Sequence, residues 1–585
     1  MTRTFRSARW LAALVAVAGG AVGLSLALGS SSAPAAPLAS AHAVAGHPCL
    51  TMTGSGDPAF TKNFNPFTST GIPSGQFVKG AIYEGLIISP EGGKPAVPWL
   101  ARSWKWSNHN KTLTLNLAKN VKWSDGQPFT SADAVYSLEG GNTATQQKTM
   151  DILGSSRPGT NVKSISAKGP NTVVIRLKTA DSQFISTNLN GVIMVPEHIW
   201  AKVKDPAKFT DANPVGTGPF TNITRFTAQD YVFGKNPSYW QKGLPKINCL
   251  EYVQASSNDA ALALIQSGQV DWTHNFVPNV ESVYEAKDKA HYHAFYATTA
   301  YPTSIVFDDT QYPYSLVAFR KAVSLAIDRN KVSKLGEYGY APPTDAIGLS
   351  HLFPTWVTDS GVKALAKQMS TYNPTLAKKT LTDAGFTYQG DKLIDPKGNP
   401  VSLDLHVISG WSDWVASDQI LTKDLQAIGI DSNVKLEPDW NSWYPNAAST
   451  KSSTLLWQNA SQGSPYGFFF SNLSKNAYIP TGQDATNTGN WEHTYDAKAT
   501  TLLNQWKGTL DAKKQHAIAT QLEKIWLQQL PIVPVFIGPR WSTYSTKYFH
   551  CFDSPKNYFG DPIFTTYPDN SLSFTRICPG GKAGA

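Results

Sequence analysis

The sequence predicts an α/β protein, because its amphipathic helical stretches are each followed by a short extended segment, the rhythm of helices laid over sheets. Two further observations support this class. The chain has 585 residues, several times a single-domain length, so two or three bodies are expected rather than one core. Hydrophobic residues make up 41% and charged residues 16%, with 44 Gly and 38 Pro, a turn-rich globular composition that excludes wholesale disorder.

At the start, Arg3, Arg6 and Arg9 precede an apolar run from Leu11 to Leu28, and small residues lead to Ala39-Ser40-Ala41. This pattern is a secretory signal peptide over 1–41, with an uncleaved membrane anchor as its alternative. Cys49 follows Pro48, where lipid attachment would need a small residue, so no lipid anchor is expected. The mature protein is therefore expected to be soluble and extracytoplasmic. The formal charge is +9, of which the leader arginines contribute three, and no run of five basic residues occurs, so nucleic acid is not an expected partner.

Thr112 to Leu117 alternates as a strand, Ser124-Asp125-Gly126 turns, and Thr130 with Asp133 forms a capping box ahead of a helix carrying Ala132, Val135, Tyr136 and Leu138. Leu316, Phe319, Val323 and Ile327 place one apolar face on a helix from Ser315 to Val332, with Arg320 and Lys321 off that face. Asn373 caps a helix with Pro374 in its first turn and Gly385 as its stop, and Trp414, Leu421, Leu425 and Ile428 line another that ends at Gly429. Extended segments follow at Phe386 to Leu393 and Ile430 to Leu436. Asp511 to Leu530 is helical, Pro531 breaks it, and Ile532 to Ile537 is a strand.

The four cysteines, Cys49, Cys249, Cys551 and Cys578, lack C-x-x-C spacing, and in an exported chain they suggest disulfides. Of the three possible pairings, Cys551 with Cys578 is favoured because a loop of about 27 residues closes at modest entropic cost, which leaves Cys49 with Cys249. Hydrolase elbows, zinc-protease helices, phosphate loops and dinucleotide fingerprints are all missing, so an enzyme is not expected and no cofactor is implied. His291 and His293 share one side of a strand, but two donors without a third do not make a metal site.

Several blocks, in order, resemble family 5 extracytoplasmic solute-binding proteins of ABC importers, the group with oligopeptide, dipeptide, nickel and oligosaccharide binders. The densest is Leu115 through Leu138, LNLAKNVKWSDGQPFTSADAVYSL. Around it lie Asn65-Pro66-Phe67, Tyr83-Glu84-Gly85-Leu86, Gly216-Thr217-Gly218-Pro219-Phe220, Asn236-Pro237-Ser238-Tyr239-Trp240, Ala326-Ile327-Asp328-Arg329 and Leu530-Pro531-Ile532-Val533-Pro534. The resemblance covers about residues 50 to 550. It implies a two-lobe type II periplasmic-binding-protein fold with an extra subdomain inserted in the first lobe. Lobe I would comprise 49–89, 206–305 and 521–585, the insert 90–205, and lobe II 306–520. It also implies a protein, expected to be a monomer, that closes on a solute and presents it to a membrane permease without altering it.

Peptide binders of the family carry an aspartate in a second-lobe segment resembling G-W-x-x-D-x-x-D-P. Here Leu456 to Pro465 keeps Trp457 and Pro465 but has amides and hydroxyls between them, which disfavours an ammonium-bearing ligand. With 18 Trp, 23 Tyr and 26 Phe, and with Trp411, Trp414, Trp440, Trp443 and Trp457 in second-lobe segments, a β-linked oligosaccharide stands beside an oligopeptide as the expected ligand. About half of those five tryptophans are expected to face it. The candidate ligand-binding residues are Asn65, Phe67, Trp272, Asn275, Trp411, Trp443, Trp457, Asn459, Gln462 and Tyr466. His274 is placed near the same strand end as Trp272 and Asn275. A secreted carbohydrate-active enzyme and an exported peptide-sensing or chaperone-like protein are the alternatives of other classes.

Overall fold

The computed structural model describes residues 47–68, 71–72, 78–90, 94–151, 153, 160–457, 464–486 and 488–580. The leader reading over 1–41 falls outside them, as do Asn459 and Gln462. None of the described helices is long and apolar enough to cross a membrane.

Three sheets organise the chain. The largest has seven strands in the order Tyr292–Ala294, Thr543–Ser545, Trp272–Thr273, Leu50–Thr53, Cys249–Val253, Asp230–Lys235 and Phe220–Phe226. Leu50–Thr53 pairs parallel with both neighbours, and the remaining pairs are antiparallel. A four-stranded antiparallel sheet joins Ala101–Ser107, Thr112–Leu117, Thr172–Leu177 and Val162–Ala167. A three-stranded sheet places Ala297–Val306 between Thr454–Trp457 and Val533–Arg540.

Each sheet has its own apolar core. One gathers Leu50, Phe64, Tyr231, Tyr252 and Phe564, a second Leu115, Trp123, Ile175 and Met194, and the third, running from Ile305 to Phe536, Phe319, Leu421, Trp443 and Trp526. The first body is discontinuous in sequence because its strands come from both ends of the chain. The main chain leaves it through Ala297–Val306 and returns through Val533–Arg540, two strands hydrogen-bonded to one another. This is the two-lobe architecture with an added subdomain.

Local sequence signals form as the residues dictate. Thr130 and Asp133 close a reciprocal capping box on the helix Ser131–Glu139. Asn373 caps Pro374–Asp383, and Gly385 and Gly429 adopt φ near +90° past their helices, where a side chain would be strained. The segment Phe386 to Leu393 is a hairpin rather than one strand, since Gly390 at φ 59° turns Thr387–Gln389 back on Lys392–Ile394. After Gly429 only Val434–Glu437 is strand. Both disulfides form, Cys49 with Cys249 and Cys551 with Cys578.

The helix expected over Ser315 to Val332 is shorter, Val317–Ala326. Ile327 turns extended, and the Asp328 carboxylate accepts from the N–H groups of Asn330 and Lys331, starting a new turn. Arg320, expected off the apolar face, is buried. Its guanidinium donates to the carbonyls of Leu530, Tyr314 and Gln529 and lies 3.5 Å from Asp309. A helical period identifies a face, but it cannot reveal that a distant helix end has orphan carbonyls waiting for a cation. Replacing Arg320 with Met leaves those carbonyls and Asp309 buried without it, and is expected to cost about 3–5 kcal/mol in a urea unfolding measurement.

Candidate functional site

A cavity of about 500 Å³ lies where the body of the seven-stranded sheet meets that of the three-stranded sheet. One wall is aromatic and comes from the second of these. Trp440 opens the helix Trp440–Ala448, whose first turn is fixed by the Asp439 carboxylate accepting from Ser442 N–H. Tyr444 follows four residues later on the same helix face, with its ring 4.4 Å from Trp440 and 14° from parallel. Trp457 ends the strand Thr454–Trp457 and lies 6.1 Å from Trp440 and 6.3 Å from Tyr444, at 11° and 8°. Trp411 and Trp414, at the start of the helix Ser412–Gln426, and Trp491 extend the wall.

The facing wall is the loop Gly54–Thr61 with Tyr252, Asn258, His274, Asn275 and Phe276. The two walls touch at the rim through hydrogen bonds. Trp411 Nε1 donates to Ser55 O at 3.0 Å, Trp440 N–H to Gly56 O at 3.1 Å, and Asn258 N–H to Gly410 O at 2.9 Å. Asn258 Nδ2 also donates to Asp413 Oδ1 at 3.0 Å. Two of these contacts need glycine: a Cβ on Gly56 would sit 2.7 Å from Trp411 Nε1, and one on Gly410 would sit 2.1 Å from Ser256 O.

The charged groups on the lining are already engaged within the protein. Asp57 accepts from the Tyr252 hydroxyl at 3.1 Å, Asp413 accepts from Asn258, and Arg540 Nε lies 2.6 Å from Asp561 Oδ2 with its guanidinium over the Tyr301 ring. Burial pushes His274 down to about 3, with Arg540 adding to the effect, so this ring is neutral at any physiological pH. Its Nδ1 lies 3.1 Å from the Thr565 hydroxyl. The site thus offers aromatic faces, amides and hydroxyls. Among the described residues no group of three His, Cys, Asp or Glu is placed to hold a metal, and His291 instead pairs with Asp288 at 3.0 Å.

The structure brings Trp411, Trp457 and Asn275 together on this cavity. It places five other candidates in packing positions away from the lining, a correction with a physical reason in each case. Asn65 is buried, and its amide donates to the carbonyls of Pro206 and Phe209, tying two loops. Phe67 packs edge-on against Trp200 at 5.1 Å. Trp272 sits between Phe552 and Phe564, its indole N–H bonded to Ser542. Trp443 lies behind Trp411, its Nε1 donating to His406 O and Thr454 Oγ1. Tyr466 packs edge-on to Trp506 in the core. Asp57, Asp413, Trp491 and Trp541 line the cavity without having been singled out; Trp541 follows the strand Val533–Arg540, a strand end that would have marked it, whereas Trp491 lies in a loop with no periodicity.

A family model described as bacterial extracellular solute-binding proteins, family 5 (middle), matches residues 95–480. The periplasmic oligopeptide-binding protein OppA of Salmonella typhimurium is 29% identical over 411 residues, covering 65% of this chain and 69% of that protein. The glutathione-binding protein GsiB of Salmonella choleraesuis is 26% identical over 314 residues, covering 53% and 57%. Among solved structures, the periplasmic oligopeptide-binding protein of Thermotoga maritima bound to mannohexaose superposes with a TM-score of 0.79 at 23% identity, covering 91% of this chain and 98% of that one. AppA of Bacillus subtilis, in complex with a nonapeptide, gives 0.72 at 18%, covering 92% and 100%. These structures share the fold.

The His274 imidazole is expected to stay neutral, so its ring proton shifts should be flat from about pH 4 to pH 8, assigned by comparison with His274→Gln. A titration near the ordinary histidine range would contradict the buried placement.

Proposed function

This chain belongs to the bacterial extracellular solute-binding proteins of family 5, and on that premise we propose that it captures an oligomeric solute between its two lobes and delivers it to the permease of an ABC importer. The protein acts outside the cytoplasm, as a monomer, after removal of its leader, and performs no chemistry on the ligand. Capture follows hinge closure, in which the loaded, closed form is the one that docks.

A β-linked oligosaccharide is the solute class that the cavity suits best. The observation that carries this reading is the wall of near-parallel rings, Trp440, Tyr444 and Trp457, beside amides and hydroxyls and with every lining charge already engaged. Flat aromatic faces take the apolar faces of sugar rings, and Asn275, Asn441 and Thr486 are at hand for hydroxyls. An ammonium or carboxylate brought into such a site would have to break a pair that exists or go unpaired, at a cost of several kcal/mol. An oligopeptide is the second reading, favoured by Asp57 and Asp413 on the lining and by relatives such as the oligopeptide-binding protein OppA.

Intrinsic tryptophan fluorescence titrated with cellobiose to cellopentaose, and then with tri- to pentapeptides, separates the two. Saturation by the sugars is expected, and Trp457→Ala should weaken it about tenfold, or ~1.4 kcal/mol. Saturation by peptides alone would refute the sugar reading.

A further inference from the structure

Asp413 joins the two walls and has unusual company. It lies in the first turn of the helix Ser412–Gln426, borders the cavity, and accepts through Oδ1 from Asn258 Nδ2 of the facing body. Behind it stand two further carboxyls with no exposed surface, Glu337 and Asp418. Glu337 Oε1 accepts from the Ser417 hydroxyl at 2.8 Å, while its other oxygen and both oxygens of Asp418 have no hydrogen-bond partner. The charges that act on Glu337 are those of Asp413 and Asp418, all of one sign.

The remaining titratable groups on the elements around this trio are committed elsewhere. His406 and Glu437 pair with each other at 2.8 Å on adjacent strands. Arg329 donates to the carbonyls of Ser324, Ser370 and Pro534, Lys331 bears on Asp424, which is bonded to Asp328 N–H, and Lys334 and Asp259 are exposed. Asp439 caps its own helix. Across the cavity Asp57 is bonded by Tyr252, His274 is neutral, and Arg540 is paired with Asp561.

Three carboxyls that share a water-poor volume without a counter-cation cannot all be ionised. We propose that closure of the cavity is coupled to uptake of a proton at Asp413, so that the closed form is favoured in acid and loosened toward neutral pH. Opening withdraws Asn258 and admits water to Asp413, whereas Glu337 and Asp418 remain inside their own core in either form. Burial in the closed form pushes Asp413 upward from its ordinary range, outweighing the Asn258 amide and nearby backbone N–H groups that pull it down, and opening lets it fall back. The sign follows: the advantage of the closed form is complete below the ordinary aspartate range, at about 4, and is lost as pH rises through the raised value.

The inference rests on the two-lobe capture reading but on no ligand class, and its test needs no ligand, so its failure is distinct from failure of the sugar titration. Small-angle X-ray scattering of the ligand-free protein at about pH 5 and pH 8 should show a radius of gyration that grows by a few per cent of roughly 24 Å at the higher pH. Gly410→Ala, whose Cβ would meet Ser256 O, should be expanded at both and marks the open form. Asp413→Asn should be compact at both. A wild-type radius that does not change between the two pH values overturns the proposal, and so does an Asp413→Asn protein that follows the wild-type pH response. The wild-type series stands even if a variant does not fold.

Discussion

The antiparallel pairing of Ala297–Val306 with Val533–Arg540 is the constraint on which the rest of the molecule depends. These strands carry the chain out of one core and back into it, so the two bodies can part only about this hydrogen-bonded ribbon. Alternation along the strands points Tyr301 and Thr303 to one side, and both reach the cavity floor. Gly538 is opposite Tyr301 in register, and a Cβ there would come 2.1 Å from the tyrosine ring. The missing side chain lets Tyr301 lie across the ribbon with Arg540 stacked over it and anchored to Asp561 of the first body.

The walls divide the chemistry between them. The second body supplies the near-parallel stack of Trp440, Tyr444 and Trp457, and the first supplies the loop Gly54–Thr61 with Asn258 and Asn275 beside separate rings such as Tyr252 and Phe276. Trp443 shows why the rings hold their orientation: it is fully buried behind Trp411, and its indole N–H is fixed by His406 O and Thr454 Oγ1, so the wall is backed by a group with no freedom of its own. A sequence of this aromatic density therefore contains two kinds of tryptophan, those that present a face and those that support one.

That distinction marks how far the sequence could be read. Capping residues, helix stops and the strand–turn–helix block at 112–139 were legible because their physics is local, a side chain satisfying a nearby N–H or a glycine taking a left-handed φ. The aromatic wall was legible in part. Trp411 and Trp457 line the cavity, but Trp443 and Trp440 differ by less than a turn of one helix, and only the three-dimensional position of the strand Thr454–Trp457 decides which of them faces inward. Asn65 and Tyr466 were misplaced for the same reason: a polar or aromatic residue in a signature block can be there to bind carbonyls or fill a core. Arg320 was missed because its partners, Leu530 and Gln529, lie some two hundred residues away.

On the proposed function, energy scales tie closure to capture. Five hydrogen bonds cross the rim, one each from Trp411 and Trp440 and three from Asn258, and each is worth about 0.5–1.5 kcal/mol net of the water it displaces. Against them stands the ordering of two bodies and a wall of rings that, when the cavity is empty, has water or void on one side. Micromolar capture corresponds to roughly −8 kcal/mol, more than the rim alone supplies. The balance must come from a solute that fills the space against Trp440, Tyr444 and Trp457 in the closed form and has only one wall to touch in the open form. A ligand shifts an equilibrium by no more than its preference for one form over the other, and here the preference is built by placing the residues that latch the rim, Trp411 and Trp440, on the same surface that meets the solute. Stacking on that surface and bonding across the rim then stabilise a single state.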